Sequence, residues 1–257
     1  MKQRTYALRT RVKRDIVCEF LPPMPARRGR STPRQKVAIV YGGMPSYPGK
    51  SPLPEFLSKK GYWAFVPRYR GTWESGGSFL ARSPHLDIID VIDTLSRGFK
   101  DLWSGKTYRI ARPEIYLIGT SFGGAAAILA SRDRRVKKTI ALSPVTDWRV
   151  GSKTEPIDRL GTFTRDAFGE GYRGKQSDWN KLKTGRFYNP MHEAESIDGK
   201  KLLIIHPQDD KTVRAGISKK FAAVTSAKII VPKRGGHLGT SSVMTPEIWK
   251  AVGQFLK

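Results

Sequence analysis

The stretch Ile115-Tyr116-Leu117-Ile118-Gly119-Thr120-Ser121-Phe122-Gly123-Gly124-Ala125-Ala126-Ala127 runs from apolar, strand-forming residues through a Gly-x-Ser-x-Gly turn into a helix of small residues. Chemistry asks for this arrangement when a hydroxyl has to act as a nucleophile. Glycines on either side of Ser121 allow a tight, strained strand-to-helix turn, and Gly123 and Gly124 allow the helix to lie close on its strand. The hydroxyl is then lifted to the top of a sheet, over the amino end of a helix, where the dipole and free N–H groups favour negative charge. The five-residue pattern alone is a weak signal; the strand before it and the helix after it give it weight.

Outward from this turn, strands and helices alternate. Apolar runs at 36–41 (ending in Gly42-Gly43), 62–67, 139–142, 202–206 and 227–231 have the composition of buried strands. Helical patterns fall between them: near 54–60, at Ile88, Val91, Ile92 and Leu95 behind the acidic first turn of Asp87 and Asp90, and near 213–223. A last helix starts at Thr245 as N-cap with Pro246 in first position and carries Ile248, Trp249, Val252 and Phe255 on one face. Residues 6–12 and 15–21 predict an antiparallel opening pair, and the Pro-rich, basic residues 22–33 an exposed loop. The expected fold is α/β, a mostly parallel eight-stranded sheet with helices on both faces and active groups at the carboxyl ends of the strands. It is read as one domain over residues 1–257, with a polar, aromatic-containing, lid-like insertion at 143–200 before the strand that carries the acid.

The whole chain fits that reading. At 257 residues, 39% apolar, with six Trp and eleven Phe, it can fill a large core and does not have the composition of a disordered protein. Its single cysteine, Cys18, excludes an internal disulfide and fits a reducing compartment. The amino terminus shows no apolar signal region and no 18-residue apolar run occurs, so a cytoplasmic location without membrane attachment is expected. The charge is unusual: 47 Lys and Arg against 22 Asp and Glu give +25. That balance admits nucleic acid or another polyanion as partner, but the basic residues are spread along the chain and match no nucleic-acid motif. A solvated surface is the favoured reading. No His or Cys cluster has metal-ligand spacing and no nucleotide-binding glycine pattern occurs, so neither metal nor cofactor is expected.

A serine hydroxyl is a poor nucleophile at neutral pH; it needs a base, and the base needs an acid to orient it. The chain has four histidines. His206 ends a buried strand and suits a structural role, and His85 and His192 have no catalytic partner in the sequence around them. His237 follows the last strand in the Gly-rich loop Arg234-Gly235-Gly236-His237-Leu238-Gly239, which can present an imidazole freely. For the acid, the strand at 202–206 runs into Pro207-Gln208-Asp209-Asp210, and Asp210 is favoured over Asp209 and over Asp147, whose better reading is a turn or helix cap. The order Ser121, Asp210, His237 is the Ser–Asp–His order of α/β-hydrolases. A tetrahedral intermediate would need donors for its oxyanion: the Phe122 N–H and a group from the loop after the strand at 36–41.

Within the α/β-hydrolases the chain resembles the catalytic domain of the prolyl oligopeptidase (S9) serine peptidases. The resemblance rests on Tyr41-Gly42-Gly43, Tyr69-Arg70-Gly71-Thr72, Ser143-Pro144-Val145-Thr146-Asp147-Trp148, and Phe168-Gly169-Glu170-Gly171 leading to Tyr188-Asn189-Pro190. The run His206-Pro207-Gln208-Asp209-Asp210-Lys211-Thr212-Val213 is similar to the family's His-Gly-x-x-Asp-x-x-Val, with Pro in place of Gly, and selects Asp210. The resemblance implies that Tyr41 donates its phenolic O–H to the oxyanion. It implies a peptide or ester substrate. The family's oligopeptidases carry a β-propeller for which this length leaves no room, and the acidic pair that holds a free amino terminus in the dipeptidyl-peptidase branch is missing.

Overall fold

The computed structural model describes residues 7–24, 34–49, 51–152, 154 and 156–256; the expected loop at 25–33 lies outside them. Its strands are β1 (Leu8–Val12), β2 (Ile16–Leu21), β3 (Gln35–Tyr41), β4 (Trp63–Pro67), β5 (Pro113–Thr120), β6 (Val136–Leu142), β7 (Leu202–Ile205) and β8 (Lys228–Ile230). They form one eight-stranded sheet in the order β1-β2-β4-β3-β5-β6-β7-β8. β1 and β2 pair antiparallel, β2 runs antiparallel to β4, and every other neighbouring pair is parallel. The helices are α1 (Leu53–Lys59), α2 (His85–Arg97), α3 (Ser121–Ala130), α4 (Ile157–Phe168), α5 (Gln176–Asn180), α6 (Ala215–Thr225) and α7 (Pro246–Phe255).

The central strands are apolar on both faces because both faces are covered. Along β3, Val37, Ile39 and Tyr41 pack with Ile88, Val91, Ile92 and Leu95 of α2 and the alanines of α3. Ala38 and Val40 turn to the other face and meet Leu53 and Leu57 of α1 and Val252 of α7. α6 adds Phe221 and Ala222 against Ile204 of β7. α3 is buried almost all round, which suits a helix made only of small and apolar residues.

Register fixes where the chemistry can gather. Tyr41 pairs with Gly119, Thr120 with Leu142, and Leu142 with Ile205, so β3, β5, β6 and β7 end at one level. The residues just beyond those ends are Gly42, Ser121, Ser143 and His206.

The segment 143–200 carries α4, α5 and several 3-10 turns, and it is fastened to the loops after β3 and β4. Arg173 N–H donates to Gly71 O at 2.7 Å, Phe79 N–H to Arg173 O at 2.6 Å, and Trp73 N–H to Gly171 O at 3.0 Å. The Tyr172 hydroxyl accepts the Ser46 amide at 2.7 Å. Next to Gly71, the Arg70 guanidinium spans three carboxylates: Asp15 in the β1–β2 turn at 2.6 Å, Asp90 of α2 at 2.8 Å, and Asp87 of α2. Burial pushes the Asp87 carboxyl up while Arg70 pulls against it. Among the described residues no helix is long and apolar enough to cross a membrane.

Candidate active site

Ser121 stands at φ = 51°, a left-handed conformation that a side chain seldom adopts without a tight surrounding turn. Its neighbours explain how the turn is held. A methyl group on Gly119 would strike Gly123 O and the Ala127 side chain, and one on Gly123 would strike the carbonyl oxygens of Tyr41 and Gly42. On Gly124 it would strike Pro144. The start of α3 is therefore wedged between the ends of β3 and β6. Being at the first turn of the helix, the Phe122 N–H has no intrahelical carbonyl to bond. The Phe122 ring is buried among Tyr69, Phe79, Trp148 and Tyr188.

Asp210 and His237 come together: His237 Nδ1 lies 2.8 Å from Asp210 Oδ2. The carboxylate also receives His206 Nε2 at 3.1 Å on the same oxygen, and the amides of Thr212 and Val213 at 3.0 Å on the other. Burial alone would raise this carboxyl; the bonds from His206, His237 and Val213 outweigh it and hold Asp210 well below the usual carboxylate range. An ionised Asp210 places the proton of His237 on Nδ1 and leaves Nε2 as a lone pair. His206 is fully buried, and its Nε2 faces two acceptors, Asp210 Oδ2 and Val213 O at 2.7 Å, so Nε2 carries the proton there. Its Nδ1 sits 2.8 Å from the Ser218 hydroxyl.

The alternative acids serve elsewhere. Asp209 accepts the amides of Gly235 and Gly236 at 3.3 and 2.9 Å and so tethers the loop that carries His237. Asp147 pairs with Arg149 and with the Asn189 side chain, which ties the two ends of the insertion together. His85 bonds Ser83 on the flank at α2.

The segment after β6 links the Ser121 turn to the His237 loop. Val145 N–H donates to Ser121 O at 3.2 Å, and the buried Ser143 hydroxyl accepts Leu238 N–H at 3.2 Å. Ser143, itself at φ = 42°, opens one of the stretches that carry the family resemblance, but motif reading gives it no role. The signal that finds it is positional, since it is the first residue past a strand that ends level with β5. Among the described residues no hydrogen bond joins the Ser121 hydroxyl to His237. Tyr41 is fully buried, its ring edge-on to Tyr69 at 4.6 Å, and its hydroxyl has no hydrogen-bond partner among the described residues. It is not one of the residues lining the pocket beside Ser121, which is walled by Met44, Phe122, Val145, Trp148, Leu160 and Val213 among others. No group of three or more His, Cys, Asp or Glu able to hold a metal occurs among the described residues.

This strand order, with a strained serine turn at the end of its fifth strand, defines an α/β-hydrolase-fold protein. The profile of the prolyl oligopeptidase family matches residues 51–244, and the chain belongs to that family. No curated protein sequence matches it significantly. Among solved structures it is similar to dipeptidyl peptidase 4 of Porphyromonas gingivalis, with a TM-score of 0.66 and 16% identity over 98% of this chain and 35% of that one. An esterase of Pyrococcus furiosus gives 0.65 and 18% over 98% and 91%. The acylaminoacyl peptidase of Pyrococcus horikoshii gives 0.63 and 20% over 98% and 40%. The chain thus spans about a third of the dipeptidyl peptidase and two fifths of the acylaminoacyl peptidase. These likenesses carry the fold.

Proposed function

We propose that the protein is a serine hydrolase that works through an acyl-enzyme. Ser121 attacks the scissile carbonyl, His237 Nε2 takes its proton and returns it to the leaving group, and Asp210 holds His237 in the required tautomer and stabilises the imidazolium. Water then enters by the same route to release the acyl group. The Phe122 N–H and the Tyr41 O–H are the proposed donors to the oxyanion. The observation that carries this reading is the 2.8 Å bond between His237 Nδ1 and Asp210 Oδ2, made at the strand ends that also present Ser121 on a strained turn. Family membership supports the same class of reaction.

A fluorophosphonate probe should label the protein and fail to label Ser121→Ala and His237→Ala. Labelling that persists in either variant ends the proposal. The substrate is proposed to be a small peptide or an ester, and the segment 143–200 to roof the site. Rates on matched p-nitrophenyl esters and aminoacyl amides separate the two substrates: an amide rate comparable to the ester rate marks a peptidase, a negligible one a carboxylesterase.

A further inference from the structure

The pocket beside Ser121 has two kinds of wall. Met44, Phe122, Val145, Trp148, Leu160 and Val213 make one part of it apolar. Lys211 and Arg214 also line it, and no Asp or Glu is among the described lining residues. Both cations are exposed and neither takes part in an ion pair among the described residues, whereas Arg68, Arg70, Arg132, Arg135 and Arg149 all do. The nearest acids in sequence are occupied: Asp209 by the amides of Gly235 and Gly236, Asp210 by two histidines. The backbone from which the cations project is fixed by the site itself. Asp210 Oδ1 binds the Thr212 and Val213 amides, and Ser152 donates to Thr212 O at 2.8 Å. The pocket measures about 50 Å³, roughly a third of a cavity of about 150 Å³ that takes up a benzene. A short chain fits it better than a ring.

We propose that this pocket selects esters or amides whose short apolar acyl chain ends in an anionic group, the chain lying against the apolar wall and the anion held by Lys211 and Arg214. The proposal rests on the hydrolase reading for the part played by Ser121. Both cations being exposed, the attraction is one that water and salt screen.

The test compares monoethyl glutarate with ethyl pentanoate, esters of equal acyl length that differ in a terminal carboxylate. The expected result is a kcat/KM preference of about tenfold for monoethyl glutarate at low salt, falling as salt is added and abolished in Lys211→Glu/Arg214→Glu. In parallel, binding of the same two esters to Ser121→Ala is measured by calorimetry, where turnover plays no part, and the same preference and the same loss are expected. Turnover of both esters at equal kcat/KM, or a preference that survives the double substitution, overturns the pocket assignment and leaves the hydrolase reading standing. Absence of turnover together with charge-dependent binding supports the pocket and removes the hydrolase reading. Absence of both overturns the two together.

Discussion

Tyr41 holds a hydroxyl that is shut away from water and bonded to nothing among the described residues. Such a group costs about 1–3 kcal/mol in a folded protein, and substituting it by hydrogen removes that cost. If it serves the oxyanion, Tyr41→Phe should raise the melting temperature slightly while lowering kcat about 10- to 100-fold; a variant both stable and fully active would show that the hydroxyl has no catalytic part. Ser143 calls for the opposite expectation about packing. Its hydroxyl anchors Leu238, next to His237, so Ser143→Ala should lower kcat several-fold with little change in KM. Unchanged kcat in Ser143→Ala would reduce the bond to loop packing. The meeting of Asp210 with His237 was legible because they follow consecutive strands that the structure places side by side. His206 was legible only as a buried histidine. Its contact with Asp210 depends on how the loop of 207–213 folds back; the run from His206 to Val213 holds the residues concerned but does not state the bond. The Phe122 ring likewise gains its place from Tyr69 and Tyr188, far away in sequence.

At the scale of elements, the close approach of α3 to the ends of β3 and β6 decides the geometry of the turn. Gly123→Ala would drive a methyl into two carbonyl oxygens of the backbone, which cannot rotate out of the way as a side chain can. A loss of about 3 kcal/mol or more and a collapse of activity are expected, read by denaturant unfolding and by the probe; a well-folded, active Gly123→Ala would contradict the wedge. Some long periodic elements were readable, though α4 (Ile157–Phe168), inside the segment read as a polar insertion, was not. The apolar spacing of α2 and the Thr245-Pro246 start of α7 match the structure to within a residue or two. The two-residue ribbon of Phe99–Lys100 with Thr107–Tyr108, and the α5 helix inside 143–200, were not. Segments of two to five residues bury too few side chains to show a period, and here they are held by tertiary contacts such as Trp179 against Gly161.

For the whole molecule, the net charge of +25 is a standing repulsion that the fold must carry. The acidic groups are largely committed: Glu19 and Glu74 bridge Arg9 and Arg68, and Asp93 and Asp133 bridge Arg135. Added salt screens the remaining like charges more than these short pairs, so the melting temperature should rise between about 10 and 150 mM sodium chloride, over which the Debye length falls from about 30 to 8 Å. A fall would mean that the ion pairs outweigh the repulsion. Arg70 has a different kind of consequence. It joins a turn near the start of the chain to a helix some seventy residues on, across the antiparallel meeting of β2 and β4. The β1–β2 hairpin forms one edge of the sheet. Detaching it would strip Arg70 of Asp15 while Asp87 and Asp90 keep their hold. The edge is tied at several further points, the Leu102 amide on Arg9 O at 2.7 Å and the Arg9 amide on Asp101 among them, so outer backbone groups of β1 are already occupied and a stray strand finds fewer left to pair with.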